Sequence, residues 1–433
     1  MNVVFFVIVL IAFLSTAWRE FSWVPMDGVV SPMNTLSAAM VDSAAGSVEL
    51  AIGLIGVMTL FLGLMKVAEA GGLLTVLARL IRPLMVRLFP DVPPDHPAMG
   101  AMILNMSANA LGLGNAATPF GIRAMQELDK LNADRGTATN AMVLFLAINT
   151  SNVTLLPTGV IALRAAAGSV EPAGILSTTL FATLCSTITA IFAAKAYQRF
   201  FLQKGPVKDV KVKTSDGKTV KEEQVPLEPT GAYPMWVTLM ALCVLIAFIP
   251  LTVIYGKAIS PWIIPGLMAG FLGFGVARRV RVYEIFVEGA KEGFQVAVRI
   301  IPYLVAILVA VGMFRESGAM GAVVSWFGAW TGKVGMPAEA LPMAFLRPLS
   351  GSGAYGIMAS IINDPAIGPD SYTGYLVSTL QGSTETTFYV LAVYFGAVQV
   401  RRIRHALAAA LTADLAGVIF AVVGCAYLYP NLA

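Results

Sequence analysis

The chain has 433 residues, of which 57% are hydrophobic and only 12% charged, and its formal net charge is +4. Soluble domains carry about 25% charged residues, so this composition excludes an ordinary soluble protein and predicts an integral membrane protein. The three cysteines are isolated in apolar segments, and no Cys/His cluster suggests a metal site or a disulfide framework. We therefore expect no cofactor, no enzyme activity and no nucleic-acid partner.

The first apolar segment, MNVVFFVIVLIAFLSTA, ends in small residues as a signal peptide does. It has no basic residues before the apolar run, and the run is longer than that of a typical signal peptide. We predict that this segment is a transmembrane anchor.

Further apolar segments follow in sufficient number and length for a polytopic all-α membrane protein, because about 20 residues cross a bilayer as a helix. Alternating ten-residue segments typical of an outer-membrane barrel are absent from the sequence. The predicted spans are 1–18, 47–66, 138–163, 174–202, 234–255, 260–277, 295–314, 372–397 and 406–428, with less regular segments at 71–89, 97–128, 319–333 and 340–362.

One long stretch, 203–232, is hydrophilic and rich in lysine, glycine and proline. This composition is typical of a flexible surface linker. We predict a first membrane half at 1–202, a linker at 203–233 and a second membrane half at 234–433.

Basic residues predict the orientation, since cytoplasmic loops are enriched in lysine and arginine. The loop 203–232 alone carries six lysines. Counting spans from it places most other basic residues on the same side if 97–128 is a re-entrant hairpin. This side, in a bacterial inner membrane, is predicted to be cytoplasmic, and the C-terminus is predicted to lie outside. The residues on the cytoplasmic side are Lys204, Lys208, Lys211, Lys213, Lys218, Lys221, Arg79, Arg82, Arg87, Arg123, Arg135, Arg278, Arg279, Arg281, Arg401, Arg402 and Arg404.

The two halves repeat one order of segments: a span, an amphipathic segment, a Gly-rich segment and a span interrupted by polar residues. The Gly-rich segments are 104–121 and 346–360, and the interrupted spans are 146–163 and 378–394. Aligning NTSNVTLLP with GSTETTFYV pairs Asn152 with Glu385. Five predicted crossings separate the two units, so the second is inverted. Inverted repeats with interrupted helices are a transporter architecture, with binding sites near the membrane midplane.

The polar residues in the Gly-rich and interrupted segments are the candidate site. Irregular backbone at membrane depth is tolerated only where protein buries it or where it lines a water-filled cavity. Polar residues that merely join helices are the alternative interpretation for each single position. The solute-binding candidates are Asn105, Ser107, Asn109, Asn115, Asn149, Asn152, Ser350, Ser352, Gln381, Ser383, Thr384 and Glu385, and the ion-coupling candidates are Glu385, Thr150, Thr154 and Thr387.

Glu385 is the most informative single residue, because an acid near the bilayer centre costs at least ~2.5–3.5 kcal/mol. It is predicted to face a central cavity shared with Asn105, Asn109, Asn152 and Ser352. Three roles remain open for its carboxylate: a structural ion pair with Arg347, a hydrogen-bond acceptor for a solute, or a protonatable coupling group.

The sequence resembles a known family at these segments. NMSANALGLGNAATPFG and TNAMVLFLAINTSNVTLLPTGVIALR are similar to the spore maturation protein A family, and RPLSGSGAYGIM and GSTETTFYVLAVYFGAVQVRR to the spore maturation protein B family. A fusion of the two is implied over nearly the whole chain. Both families belong to the nucleoside-recognition (Gate) group, which is distantly similar to the membrane cores of concentrative nucleoside transporters and of ferrous-iron transporters.

The hypothesis that follows is a secondary active transporter of a small polar solute, nucleoside-like or another metabolite, coupled to Na⁺ or H⁺. No P-loop for ATP binding is present in the sequence. The alternatives are a non-transporting membrane factor in envelope or spore maturation, and a passive channel. The expected partners are the solute, the ion and the lipid bilayer, and a homo-oligomer remains open.

Overall fold

The computed structural model describes the chain except residues 1, 26–28, 113, 152, 202–231, 431 and 433. The predicted linker 203–233 therefore lies almost entirely outside the described residues. Within the described part the protein is all-helical and has no β-strand, as expected for a polytopic membrane protein. Three of the described helices are long and apolar enough to cross a membrane, namely Pro32–Ala70, Ala406–Leu428 and the helical stretch Pro172–Phe200.

Each of the two predicted halves contains eight α-helices among the described residues. In the first half these are α1 (Asn2–Phe21), α2 (Pro32–Ala70), α3 (Leu73–Leu88), α4 (Pro97–Ala110), α5 (Gly114–Lys130), α6 (Asn140–Thr150), α7 (Thr158–Ala166) and α8 (Leu176–Tyr197). In the second half they are α9 (Met235–Ala277), α10 (Val282–Glu316), α11 (Ala319–Thr331), α12 (Leu341–Leu346), α13 (Gly351–Ile362), α14 (Tyr372–Ser383), α15 (Thr387–Ala397) and α16 (Ala406–Leu428). In each half a short helix pair precedes a helix that is broken in the middle.

Equivalent long helices of the two halves pack against each other in antiparallel pairs. Gly293 of α10 packs against Met58 and Thr59 of α2, whereas Gly312, further along α10, packs against Ser43, earlier in α2. The pair α8 and α16 runs in the same way, because Gly417 contacts Ser186 and Gly424 contacts Phe181. Glycine at these positions allows the close approach, as small residues do between membrane helices.

Helix α2 is longer than its predicted span, 47–66. It begins at Pro32, where the Ser31 side chain accepts a hydrogen bond from the Asn34 N–H in an N-cap. Its polar flanks stay helical because they pair with α10, as in the 3.1 Å ion pair between Lys66 and Glu292. The contact of Gly312 with Ser43 extends the same pairing toward the start of α2.

The helical segment α9 covers both spans predicted at 234–255 and 260–277. Near its start the Thr238 hydroxyl donates to Leu80 O at 2.7 Å, and near its end Phe274 packs against Gly71. A straight helix would separate Thr238 from Phe274 by about 54 Å. Gly71 and Leu80 are at most about 30 Å apart even at full extension. The segment therefore cannot be straight, and both of its ends return to α3, as two crossings require.

Basic residues predicted to share one side lie together at one end of the molecule. The N–H groups of Arg401 and Arg402 donate to Gly136 O, and the Arg404 guanidinium donates to Ala138 O and to Phe201 O, next to the predicted loop. From this end α16 runs about 33 Å to the opposite end. There the Tyr429 hydroxyl donates to Gly174 O. The described end of the chain is therefore opposite the start of the loop.

Candidate functional site

The first broken helix consists of α6 and α7, which are separated by residues 151–157. Helix α6 begins with Thr139 as N-cap and is buried along nearly all its length. The tip of the α4–α5 hairpin packs on the break, where the Leu155 N–H donates to Ala110 O at 2.9 Å. At this tip Gly112 has φ +76°, and a Cβ there would lie 2.4 Å from Leu156 O. Only glycine fits both the left-handed turn and this close approach.

The second broken helix follows the same design. Residues 384–386 separate α14 from α15, and Ser371 is the N-cap of α14. The tip between α12 and α13 packs on this break, where the Phe388 N–H donates to Pro348 O at 3.1 Å. A Cβ at Gly351 would lie 2.8 Å from the Thr386 hydroxyl. The predicted hairpins and polar interruptions are thus present in both halves.

Helix α5 already begins at Gly114, so Pro119 lies inside the helix and not at its start. The chain reverses direction at Gly112, which has φ +76° and precedes Pro119 by seven residues.

The two breaks touch each other. The backbone N–H of Glu385 donates to Thr150 O, the last carbonyl of α6, at 2.9 Å. Gly382 at the end of α14 packs against Pro157 and Thr179. A carbonyl at a helix end has no intrahelical partner, so the Glu385 N–H supplies the donor that the end of α6 lacks.

Three of the predicted asparagines form one buried cluster around a tyrosine. The Asn105 amide donates to the Tyr394 hydroxyl at 3.0 Å and to Ala117 O at 2.7 Å. The Asn149 Oδ1 accepts from the Asn109 amide at 2.9 Å and from the Tyr394 hydroxyl at 3.3 Å. Tyr394 belongs to α15, so this amide cluster (Asn105, Asn109, Asn149 and Tyr394) joins the two halves.

A charged cluster (Arg347, Glu385 and Asp414) occupies the other break. The Arg347 guanidinium is buried and donates to Thr386 Oγ1 at 3.1 Å and to Thr384 O. The Glu385 carboxylate lies 3.8 Å from the guanidinium and its side chain is 48% exposed. The contact is therefore longer than a hydrogen bond, and Arg347 is held mainly by the break itself. The ion pair with Arg347, one of the three roles left open for Glu385, is thus a 3.8 Å contact to a half-exposed carboxylate.

Asp414 was missed by the sequence interpretation. It lies in α16, is 4% exposed and accepts a 2.6 Å hydrogen bond from the Thr387 hydroxyl on its Oδ2. Its Oδ1 has no hydrogen-bond partner among the described residues. The signal was available, because Asp414 is the one charged residue in ALAAALTADLAGVIFAVVGCAYL and charges inside spans mark functional sites.

Tyr394 was missed for a different reason. In sequence it is one aromatic residue in an apolar run, and only the packing of α15 against α5 and α6 places its hydroxyl between two asparagines.

The remaining predicted residues make local contacts or stay undescribed. The hydroxyls of Ser107, Thr150 and Ser383 donate to carbonyls of their own helices. Ser350 is the N-cap of α13, and Ser352 is exposed. Gln381 has a buried Oε1 without a partner in the described part of the chain, and Thr154 is half-buried. Asn152 and the side chain of Asn115 lie outside the described residues.

Two further arginines, also missed, hold the entrances of the broken helices. Arg164 of α7 is fully buried and donates to Pro369 O at 2.6 Å and to Asp370 at 2.9 Å, just before α14. The Tyr375 ring lies 4.3 Å from its guanidinium. Arg404 makes the equivalent contact before α6, donating to Ala138 O at 3.0 Å and to Asn140 at 2.9 Å. Each half thereby fixes the start of the other half's broken helix.

The family assignment follows from these two regions. A family model described as Gate, nucleoside recognition, matches residues 51–167 and 297–401, just over half of the chain. These two matches include both hairpins and both breaks. The chain belongs to the nucleoside-recognition (Gate) family.

Curated relatives agree with the resemblance seen in the hairpin sequences. The chain is 48% identical over 159 residues to spore maturation protein A of Bacillus subtilis (strain 168), covering 37% of this chain and 81% of that protein. It is 46% identical over 160 residues to spore maturation protein B of the same organism, covering 37% of this chain and 89% of that protein. No solved structure matches the chain. Similarity to most of each relative is what a fusion of the two would show.

Proposed function

We propose that this protein is a secondary active transporter of a small polar solute, nucleoside-like or another metabolite, coupled to Na⁺ or H⁺. The observation that carries the proposal is the contact between two broken helices, where the Glu385 N–H donates to Thr150 O. Broken helices that meet at a repeat interface are the sites at which transporters bind their substrates. The family's description, nucleoside recognition, supports a solute with hydrogen-bonding groups on a ring.

The arrangement of the halves supports alternating access. The pairs α2–α10 and α8–α16 are antiparallel, which is what two inverted repeats related by an axis in the membrane plane require. In this proposal the halves are 1–202 and 234–433, with the linker 203–233 between them. Rocking of one repeat against the other would open the breaks to each side in turn.

The solute is proposed to bind between the amide cluster and Glu385. The Asn105 Oδ1 and the Gln381 Oε1 are buried acceptors without hydrogen-bond partners in the described part of the chain. A polar solute supplies the donors that such acceptors need. Glu385, being half exposed, offers a carboxylate to hydroxyl or amine groups of the same solute.

The proposed membrane is the bacterial cytoplasmic membrane, with 203–232 inside and the C-terminus outside. The support is the shared end of Arg401, Arg402 and Arg404 with Phe201, where the loop begins. A cysteine replacing Lys213, in a background without the native cysteines, should react with a membrane-impermeant maleimide only after the cells are opened. Reaction in intact cells would reverse the orientation.

The decisive experiment is a thermal-unfolding screen of the purified full-length protein against nucleosides, nucleobases, amino acids and polyamines, with Na⁺ and pH varied. At least one class should raise the unfolding temperature in a concentration-dependent way, as binding to the native state does. Uptake of that compound into proteoliposomes along a Na⁺ or H⁺ gradient would then demonstrate transport. Binding without gradient-driven uptake would contradict active transport.

A second candidate function is a non-transporting membrane factor, and the names of the two spore maturation relatives favour it. Such a factor needs no solute. It predicts that no compound in the screen stabilises the protein, and that variants of the amide cluster retain any maturation phenotype that deletion of the gene abolishes.

A further inference from the structure

Asp414 lies inside α16, a helix long and apolar enough to cross a membrane, and is the sole charged residue of that helix. It follows the first residue of this helix by about 12 Å along the axis. Burial of a carboxylate there is expensive unless a positive charge or a proton neutralises it. The Asp414 side chain must therefore interact with a cation in at least one state of the protein.

The neighbouring protein charge does not complete this interaction. Arg347 is close enough for its charge to act on Asp414. Its two terminal nitrogens, however, donate to Thr386 Oγ1 and Thr384 O in the break. The Asp414 Oδ2 is occupied by the Thr387 hydroxyl at 2.6 Å, whereas Oδ1 is buried without a partner in the described residues.

The surroundings of Asp414 provide further oxygens. The Ser186 hydroxyl of α8 donates to Ala413 O at 2.7 Å, on the residue before Asp414. One turn later, a Cβ at Gly417 would lie 2.5 Å from the Thr384 methyl carbon, so the break packs directly on α16 through an apolar contact. Carboxylate, hydroxyl and carbonyl oxygens are the ligands that hard cations prefer.

We propose that Asp414, rather than Glu385, holds the coupling cation, a proton or a sodium ion, with the Thr387 hydroxyl as its neighbouring oxygen. The inference rests on the proposed transport function and names the ion site for it. Thr387 is the first residue of α15, the helix that carries Tyr394 of the amide cluster. Cation binding at Asp414 changes the Thr387 hydrogen bond and thereby the position of α15 beside the solute groups.

Other charged and titratable groups around Asp414 also contribute to the dependence of the unfolding temperature on pH. Arg347 acts on it directly, and Glu385 lies beyond Arg347 at 3.8 Å from the guanidinium. On α8 the Tyr197 hydroxyl hydrogen-bonds to Thr412, two residues before Asp414. Variants at Asp414 and Glu385 therefore have to be compared in parallel.

The test is thermal unfolding of the purified full-length protein between pH 5 and 9, with NaCl exchanged for choline chloride at constant ionic strength. The wild type should show a saturable dependence of the unfolding temperature on Na⁺ or on pH. Asp414→Asn should lose this dependence, whereas Glu385→Gln and the distant control Asp364→Asn should keep it. Loss in Glu385→Gln with retention in Asp414→Asn would overturn the proposal, as would a wild type that responds to neither cation.

If Asp414→Asn fails to fold, Thr387→Val still tests the proposal. This variant also distinguishes a proton from Na⁺ as the bound cation. For a proton, loss of the hydroxyl donor destabilises the carboxylate, so the pH midpoint should rise by roughly one unit. For Na⁺, loss of a ligand should weaken binding roughly tenfold. A purely structural role would lower the unfolding temperature equally under all conditions, with no shift of either midpoint.

Chemical labelling gives an independent readout. Dicyclohexylcarbodiimide reacts with protonated carboxyl groups in apolar surroundings, so Asp414 should be modified in the wild type, with Na⁺ protecting it if Na⁺ is the ion. Absence of modification at Asp414 at every pH would contradict a proton site. If the unfolding temperature depends on a cation through Asp414 but no solute stabilises the protein, only the transport proposal is refuted. If a solute stabilises the protein but no cation does, only the proposed role of Asp414 is refuted.

Discussion

The two breaks have the same backbone design and opposite chemistry. At the first break the polar side chains are neutral: Asn105, Asn109 and Asn149 share hydrogen bonds with one tyrosine. At the second break a buried arginine lies between two carboxylates, one half exposed and one buried. The two breaks therefore share a helix–break–helix arrangement and differ in the side chains around them.

The difference suggests a division of work between the repeats. Neutral amides and a hydroxyl recognise donors and acceptors of a solute at little electrostatic cost. Charged groups inside a membrane protein cost free energy, and they mark positions that bind ions or change partners between conformations. In the proposed transport function, recognition and coupling would therefore lie on opposite sides of one contact, where the Glu385 N–H meets Thr150 O.

Removal of Arg347 should have the largest effect on the second break. Its guanidinium holds Thr384 O and the Thr386 hydroxyl and lies near both carboxylates. Arg347→Met should lower the free energy of unfolding by about 3–5 kcal/mol, because a buried carboxylate loses its neighbouring charge. Denaturant titration in detergent micelles measures this loss.

Arg315→Met is the matched control, since Arg315 also pairs with an aspartate but is 59% exposed. An exposed pair contributes at most about 1 kcal/mol. Equal losses in the two variants would show that the second break does not depend on a buried charge.

Variants of Arg164 and Arg404, the arginines at the entrances of the broken helices, test whether the two entrances contribute equally to stability. Arg164 is fully buried, pairs with Asp370 and lies over Tyr375, whereas Arg404 is partly exposed and has no carboxylate contact in the described part of the chain. Arg164→Met should cost about 3 kcal/mol, because the Pro369 carbonyl and Asp370 lose a fully buried charged donor. Arg404→Met should cost about 1 kcal/mol. The same unfolding titration compares them, and a reversed order would contradict the contacts described above.

Tyr394→Phe tests the first break. The variant keeps the ring but removes the hydroxyl between Asn105 and Asn149. Asn105 keeps Ala117 O, and Asn149 keeps the Asn109 amide and Phe145 O. The free energy of unfolding should fall by about 1–2 kcal/mol, the cost of lost buried hydrogen bonds. Tyr389→Phe is the control, because its side chain is 55% exposed and should change nothing measurable. An unaffected Tyr394→Phe would exclude a joint role of the four residues.

Much of this comparison was accessible from the sequence. Glycines, prolines and hydroxyls at matched positions in two apolar segments predict interrupted helices, because irregular backbone inside a membrane is tolerated only where protein buries it or where it lines a cavity. The reversal within the Gly-rich segment 104–121 is at Gly112, which has φ +76°. The turn and the helix breaks depend on residues within their own segments, so the sequence of each segment predicts them.

The contacts across the interface were not accessible in the same way. Tyr394 and Arg164 each look ordinary in their own segments, and their partners are more than 200 residues away in the chain. Asp414 was visible as a lone charge, yet its link to Thr387 depends on how α16 packs against α15. Which polar residues meet depends on how the helices pack in the folded protein, and this packing cannot be predicted from a single sequence.

Glu385→Gln should have the smallest effect on stability and the most specific effect on function. Had the carboxylate been a buried partner of Arg347, the variant would lose about 3–5 kcal/mol. The side chain is instead 48% exposed and 3.8 Å from the guanidinium, so the loss should stay below about 1 kcal/mol. If Glu385 accepts hydrogen bonds from the solute, the amide variant should fold normally and show reduced stabilisation by that solute, with its cation response intact. The thermal screen measures both responses on one sample. Wild-type solute stabilisation in Glu385→Gln would remove this carboxylate from the recognition site and leave recognition to the neutral break alone.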